Sequence, residues 1–157
     1  MIDRRLRIAG IVIAVLGIGV AGYLTYIHYA GIDPVCNIAH GCIKVQTSAY
    51  AKLAGVPVAL LGLIGYVSIL GALLVRHEAA RMAAALFALV GFGFSAYLTY
   101  RELFTIDAIC QWCVASAILM TGLAIVTVWR LLLAEPEPPR DAAEADAEGT
   151  PAAAAVR

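Results

Sequence analysis

Residues 108–129 read AICQWCVASAILMTGLAIVTVW, twenty-two positions without an Asp, Glu, Lys or Arg. At ~1.5 Å per residue, a helix of this length spans roughly 30 Å, the hydrocarbon thickness of a bilayer. It also lacks the polar face that a helix on a soluble core needs. Upstream lie three more uncharged runs, at 8–32, 53–75 and 82–100. Helices satisfy their own backbone groups in lipid, so the pattern predicts an all-α membrane protein, a four-transmembrane-helix bundle. Composition agrees: 62% of residues are hydrophobic and 14% charged, against about 45–50% and about 25% in soluble domains. The 11 basic and 11 acidic residues cancel, and no basic stripe is present to neutralise phosphates, which excludes nucleic acid as a partner class.

The first run follows Arg4, Arg5 and Arg7, as in a signal peptide. It outlasts the roughly 7–15 apolar residues of a secretory segment and continues into Tyr23, Tyr26 and Tyr29, residues of the membrane interface. It reads as a retained helix. Basic residues gather before the first run (Arg4, Arg5, Arg7), between the second and third (Arg76, Arg81) and after the fourth (Arg130, Arg140), with only Lys44, Lys52 and Arg101 on the other side. The positive-inside rule therefore expects a multi-pass protein of the cell inner (plasma) membrane. Both termini would be cytoplasmic and both remaining loops extracytoplasmic. After Leu133 the chain turns to EPEPP and then Ala, Glu and Asp. The expected organisation is a membrane domain at 1–133 and a disordered cytoplasmic tail at 134–157.

Residues 23–36, YLTYIHYAGIDPVC, match residues 97–110, YLTYRELFTIDAIC, at seven of fourteen positions. Both copies close an outward-running apolar stretch and end on cysteine, as two parallel helix-pair halves would. All four cysteines, Cys36, Cys42, Cys110 and Cys113, fall in or beside the two external segments, on the side where disulfides form and persist. Cys110 and Cys113 form a C-x-x-C at the start of the fourth helix, where unpaired N–H groups stabilise a thiolate. Three helical residues place Cys113 roughly 4.5 Å deeper on about the same face. Such a pair serves thiol oxidoreductases and metal sites alike. Cys36 and Cys42 lie in PVCNIAHGC, with bends at Pro34 and Gly41. A redox relay, an all-cysteine zinc site and a non-enzymatic tetraspan scaffold with structural disulfides are the readings these spacings allow.

The loop pair Cys36 and Cys42, Ser48 six residues on, GVPVALLGLIGY at 55–66 and CQWC at the top of the fourth helix together resemble the vitamin K epoxide reductase family, in its microbial quinone-dependent branch. The resemblance covers roughly residues 8–130. The disulfide bond formation protein B family is also a four-helix quinone reductase, but it places its C-x-x-C in the first external loop rather than the second. What the resemblance implies is a four-helix bundle with two extracytoplasmic loops, the first carrying a short helix. It also implies a thiol:quinone oxidoreductase that supports disulfide bond formation. Cys36 would exchange with a secreted thioredoxin-like oxidase, Cys42 would attack at Cys110, and Cys113 would reduce a quinone (menaquinone, ubiquinone or phylloquinone). Ser48 stands at the family's loop Ser/Thr position, near the cysteines and the quinone head group. Many microbial members fuse a thioredoxin-like domain after the bundle where this chain has a polar tail, so a separate partner oxidase is expected. Animal members place a tyrosine four residues after the last cysteine, where this chain has Ala117. No catalytic metal is implied.

Further expectations concern single residues. Trp112 stacks on the quinone or anchors at the interface. Lys44 and His40 sit close enough in sequence to the loop thiols to lower their pKa. His28 and His77 read as interface residues. Asp33 and Asp107 set turns by side-chain capping rather than relaying protons. Thr25, Thr99, Gly62, Gly65 and Gly71 read as close helix packing.

Overall fold

The computed structural model describes residues 2–36, 41–53 and 55–133. The expected tail at 134–157 and His40 lie outside them. Four long helices form the bundle: α1 (Ile2–Ala30), α3 (Val58–Leu74), α4 (Glu78–Arg101) and α5 (Gln111–Leu132). Between the first two lie the short helix α2 (Cys42–Gln46), a 3-10 turn at Ala49–Ala51 and a two-stranded hairpin, β1 (Lys52–Leu53) with β2 (Val56–Pro57). In the bundle α1 packs on α3 and α5, and α4 packs on the same two helices. Sequence-adjacent helices are therefore neighbours, as short connections favour.

α1, α4 with its continuation to Ile106, and α5 are long and apolar enough to cross a membrane. The second apolar run, expected as a helix over 53–75, is helical only over Val58–Leu74, 17 residues. The reason is local. Gly55 takes the left-handed φ of +84° at the hairpin turn, and Pro57, lacking an N–H, caps the helix start. The remaining helix rises ~25 Å, the short end of a spanning length. At the other end of the third run, the helix starts four residues before the apolar stretch because His77 caps it, Nδ1 accepting from the Ala79 N–H at 3.2 Å.

The first run belongs to the bundle, since Ala14 and Ala21 of α1 are core residues beside Tyr66, Ile69, Leu123 and Ala124. Close packing falls on other glycines than expected. A Cβ on Gly17 would collide with the Tyr66 ring, and one on Gly91 would lie 2.7 Å from Met120 Sδ, whereas Gly62, Gly65 and Gly71 face nothing within 4 Å. Small residues at the first two positions let helix backbones approach. Tyr66 crosses the bundle and donates its hydroxyl proton to the Ser116 carbonyl at 2.8 Å.

The end opposite the cysteines is tied by its basic residues. Arg7 donates to the Leu73 and Leu74 carbonyls, both at 2.8 Å, capping the end of α3. Buried Arg130 meets Asp3 at 3.0 Å and Arg81 meets it at 3.8 Å. The basic clusters that sequence placed on one side of the membrane thus share one end of the bundle.

Candidate functional site

The four cysteines come together at one end of the bundle. Cys36 and Cys42 form a disulfide, and Cys110 and Cys113 are thiols. Cys42 and Cys110 are each 0% exposed and share one apolar cluster with Val45 and Ile106, with Cys36, Cys113 and Trp112 packed against it. Gly41 makes this approach possible: a Cβ there would lie 2.7 Å from the Ile109 nitrogen and 2.9 Å from the Ala108 Cβ. The loop backbone therefore runs directly against the residues that precede Cys110. The bend expected of Gly41 is in effect a contact that only glycine permits.

Trp112 and Gln111 hold the other end of the loop. Trp112 Nε1–H donates to the Val35 carbonyl at 2.9 Å and Gln111 Nε2 to the same oxygen at 3.3 Å. The Val35 N–H in turn donates to the Tyr23 hydroxyl at 3.2 Å, and the Tyr23 and Trp112 rings meet at 4.8 Å. The residue before Cys36 is therefore clamped between α1 and the first turn of α5. Trp112 is absent from the cavity described next.

Beneath the cysteines is a cavity of about 340 Å³, lined mainly by apolar side chains of the four long helices. Its polar groups gather at the cysteine end, where Cys113, Ser48 and Glu102 line it, and Tyr66 and Ser116 line it deeper. Gly62 and Gly65 also line it, which explains their open space: they enlarge the cavity rather than admit a neighbouring helix. Ser48 Oγ donates to the Val45 carbonyl at 2.7 Å, a bond that closes α2. Lys44, expected near the thiols, is an exposed residue of α2.

Cys110 stands at the start of α5, and its thiol is held down to a pKa of about 7. The largest cause is the hydrogen bond from Cys113, with the Cys113 and Trp112 backbone N–H groups adding to it; burial and the Glu102 charge act in the opposite direction. Low-pKa thiols at helix starts are the reactive kind.

Glu102 is the residue sequence reasoning missed. α4 continues past Arg101 into a π-helical turn, Glu102–Ile106, which ends on Asp107 in the left-handed region at φ 49°. This wider turn carries Glu102 inward to 5% exposure, where its Oε2 accepts the Cys110 N–H at 3.2 Å and where it lines the cavity together with Cys113. Single π turns inside α-helices frequently occur at functional sites. Asp107 acts through its backbone, whose N–H donates to the Glu102 carbonyl. In sequence the only signal was an acid eight residues before a C-x-x-C.

The sequence matches the Vitamin K epoxide reductase family model over residues 8–128. That span holds all four cysteines, Ser48 and Glu102 and most of the chain. The chain belongs to the vitamin K epoxide reductase family. A vitamin K epoxide reductase-family chain with helices of this length and apolarity is a multi-pass membrane oxidoreductase. Within it, the shared cluster of four cysteines above an apolar cavity suits thiol chemistry linked to the quinone-type molecules of the family. The donor set also fits a quinone head group: an apolar cavity with hydroxyl, carboxyl and thiol groups of Ser48, Glu102 and Cys113 on its wall.

Proposed function

We propose that the protein is an integral-membrane thiol:quinone oxidoreductase that reoxidises a separate, secreted thioredoxin-like disulfide oxidase. The observation that carries this reading is the division of the sulfurs: among the described residues Cys113 alone of the cysteines lines the apolar cavity, while Cys110 behind it packs with Cys42 of the loop disulfide. The relay follows from that order. The reduced partner opens the Cys36–Cys42 bond by exchange at Cys36. Cys42 then attacks an oxidised Cys110–Cys113 pair at Cys110. Cys113 passes the electron pair to a membrane quinone, the electron-accepting substrate, whose chemistry makes a metal or flavin unnecessary. A disulfide in the loop with two thiols at the helix start is the state from which the quinone step begins. Ser48 lies on the cavity wall in position to orient the head group.

The proposed topology has the cysteines on the extracytoplasmic side of the inner (plasma) membrane and both termini in the cytoplasm. The gathering of Arg7, Arg81 and Arg130 at the opposite end of the bundle supports it.

The test is direct. Purified protein in detergent, given a reduced thioredoxin-like protein and menaquinone, ubiquinone or phylloquinone in turn, is expected to convert quinone to quinol with one partner disulfide formed per quinol. Thiols that do not turn over with any of these quinones would support a scaffold with structural disulfides instead.

A further inference from the structure

One residue belongs both to the cavity beneath the cysteines and to a second groove outside it. Glu102 lines the apolar cavity with Cys113 and Ser48, and it lines an open outer groove with Gly41, Lys44, Asp107 and Ile109. It is a buried carboxyl that no basic side chain neutralises: among the described residues both ion pairs are made by Asp3. The adjacent Arg101 lines the same cavity without pairing with Glu102, its guanidinium lying 4.8 Å from the Tyr50 ring centre and 5.3 Å from that of Tyr97. What Glu102 does meet is the reacting pair: it accepts the Cys110 N–H and shares the cavity wall with Cys113. A buried carboxylate without a cation is costly to keep, and ionisable groups at membrane depth mark proton paths.

We propose that Glu102 is a catalytic proton carrier for the dithiol-to-quinone step, an inference that rests on the function proposed above. In that step Cys110 reacts as thiolate, the Cys113 S–H bond breaks, one S–S bond forms, and two electrons and two protons, one from Cys113 and one from outside, end on the quinone oxygens. Glu102 takes the Cys113 proton as that sulfur gives up its electrons and releases it into the cavity. The second proton, already lost from Cys110 near neutral pH, is replaced through Glu102 from the outer groove. The titratable or charged groups around this path are Cys110 and Cys113 at the start of α5, Lys44 on α2, Asp107 at the end of the π turn, and Tyr50 and Arg101 on the cavity wall. Asp107, exposed and acting through its backbone, does not reach the thiols; the proton role falls on Glu102.

The test compares wild type with Glu102→Gln and Glu102→Asp in single-turnover oxidation of the reduced protein by quinone. Glu102→Gln keeps an acceptor for the Cys110 N–H but cannot carry a proton. The expected loss is on the order of 100-fold near neutral pH, recovering as pH rises and hydroxide replaces the base, with Glu102→Asp recovering part of the rate. An infrared difference spectrum between dithiol and disulfide forms, recorded without quinone, should contain a carboxyl band that Glu102→Gln lacks. If Glu102→Gln does not fold, the wild-type spectrum still decides, since no change in the carboxyl region on oxidation would overturn the proposal. A Glu102→Gln rate within about twofold of wild type, or a loss that is flat with pH and not relieved by Glu102→Asp, would overturn it too. A wild-type protein that never reduces quinone would instead overturn the function on which the proposal rests.

Discussion

The two copies of the YLTY repeat begin alike and end differently. In the first, Gly31 takes a left-handed φ of +65°, and the Ile32 N–H bonds back to the Ile27 carbonyl at 3.1 Å, the usual way a glycine stops a helix. Cys36 then lies in a loop, half-buried. In the second, the equivalent position is Thr105, which does not readily turn left-handed. The helix therefore runs on as a π turn until Asp107 reverses it. That added turn brings Glu102, the counterpart of His28, inward and sets Cys110 fully buried at the start of α5. The two copies thus end on a half-buried loop cysteine, Cys36, and on a fully buried one, Cys110, that leads into the helix carrying Cys113.

The largest effect expected from breaking this contrast is just beyond the second copy, in the first turn of α5. Cys113→Ala should reduce quinone turnover to background while trapping a Cys42–Cys110 mixed disulfide visible by mass spectrometry of non-reduced peptides. Turnover at the wild-type rate would refute the assignment. Cys36→Ala, at the end of the first copy, should lower turnover with the reduced protein partner by about 100-fold or more, yet leave turnover with a small dithiol that reaches Cys110 directly. Gly41→Ala tests the contact between the copies. The added methyl collides with backbone and should slow loop-to-helix electron transfer about tenfold, roughly 1.4 kcal/mol on the barrier, with quinone reduction by pre-reduced Cys110 and Cys113 unchanged in a stopped-flow trace.

A gentler test concerns pH. Because Cys110 is held to about 7, its thiolate forms as pH rises through that value and is lost below it. Alkylation of Cys110 in the reduced protein should therefore reach half its maximal rate near pH 7. In Cys113→Ala, which removes the largest cause of the lowering, the midpoint should move upward toward that of an ordinary thiol. The smallest effect expected is at the clamp: Trp112→Phe loses the bond to the Val35 carbonyl, about 0.5–1.5 kcal/mol, and should raise proteolysis of the first loop severalfold.

Much of this arrangement is legible in the sequence. The uncharged runs mark the helices, and the basic residues that sequence assigns to one side meet at one end of the bundle. The cysteine spacing, with Ser48 and CQWC, points to the family. The start of α3 was hidden because Leu53, Val56 and Pro57 are as apolar as the helix they precede, so hydropathy does not separate the hairpin from the span. Gly62 and Gly65 misled for a related reason: a glycine that widens a cavity and one that admits a helix look the same in a sequence. Glu102 was hidden because its burial depends on a π turn, which leaves no periodic mark, and because an acid at the edge of an apolar run usually faces solvent. Trp112 was placed by its neighbours in space, Tyr23 and Val35, which lie more than seventy residues away.

The central claim is that electrons leave the protein through Cys110 and Cys113 to a quinone, and not from the loop pair. It is tested most directly by mixing anaerobic, fully reduced protein with one equivalent of quinone and quenching with acid within a single turnover. The account expects one quinol formed for each Cys110–Cys113 disulfide, with Cys36 and Cys42 still reduced at the earliest times. Quinol appearing together with a Cys36–Cys42 disulfide while Cys110 and Cys113 remain thiols, or no quinol at all, would contradict it.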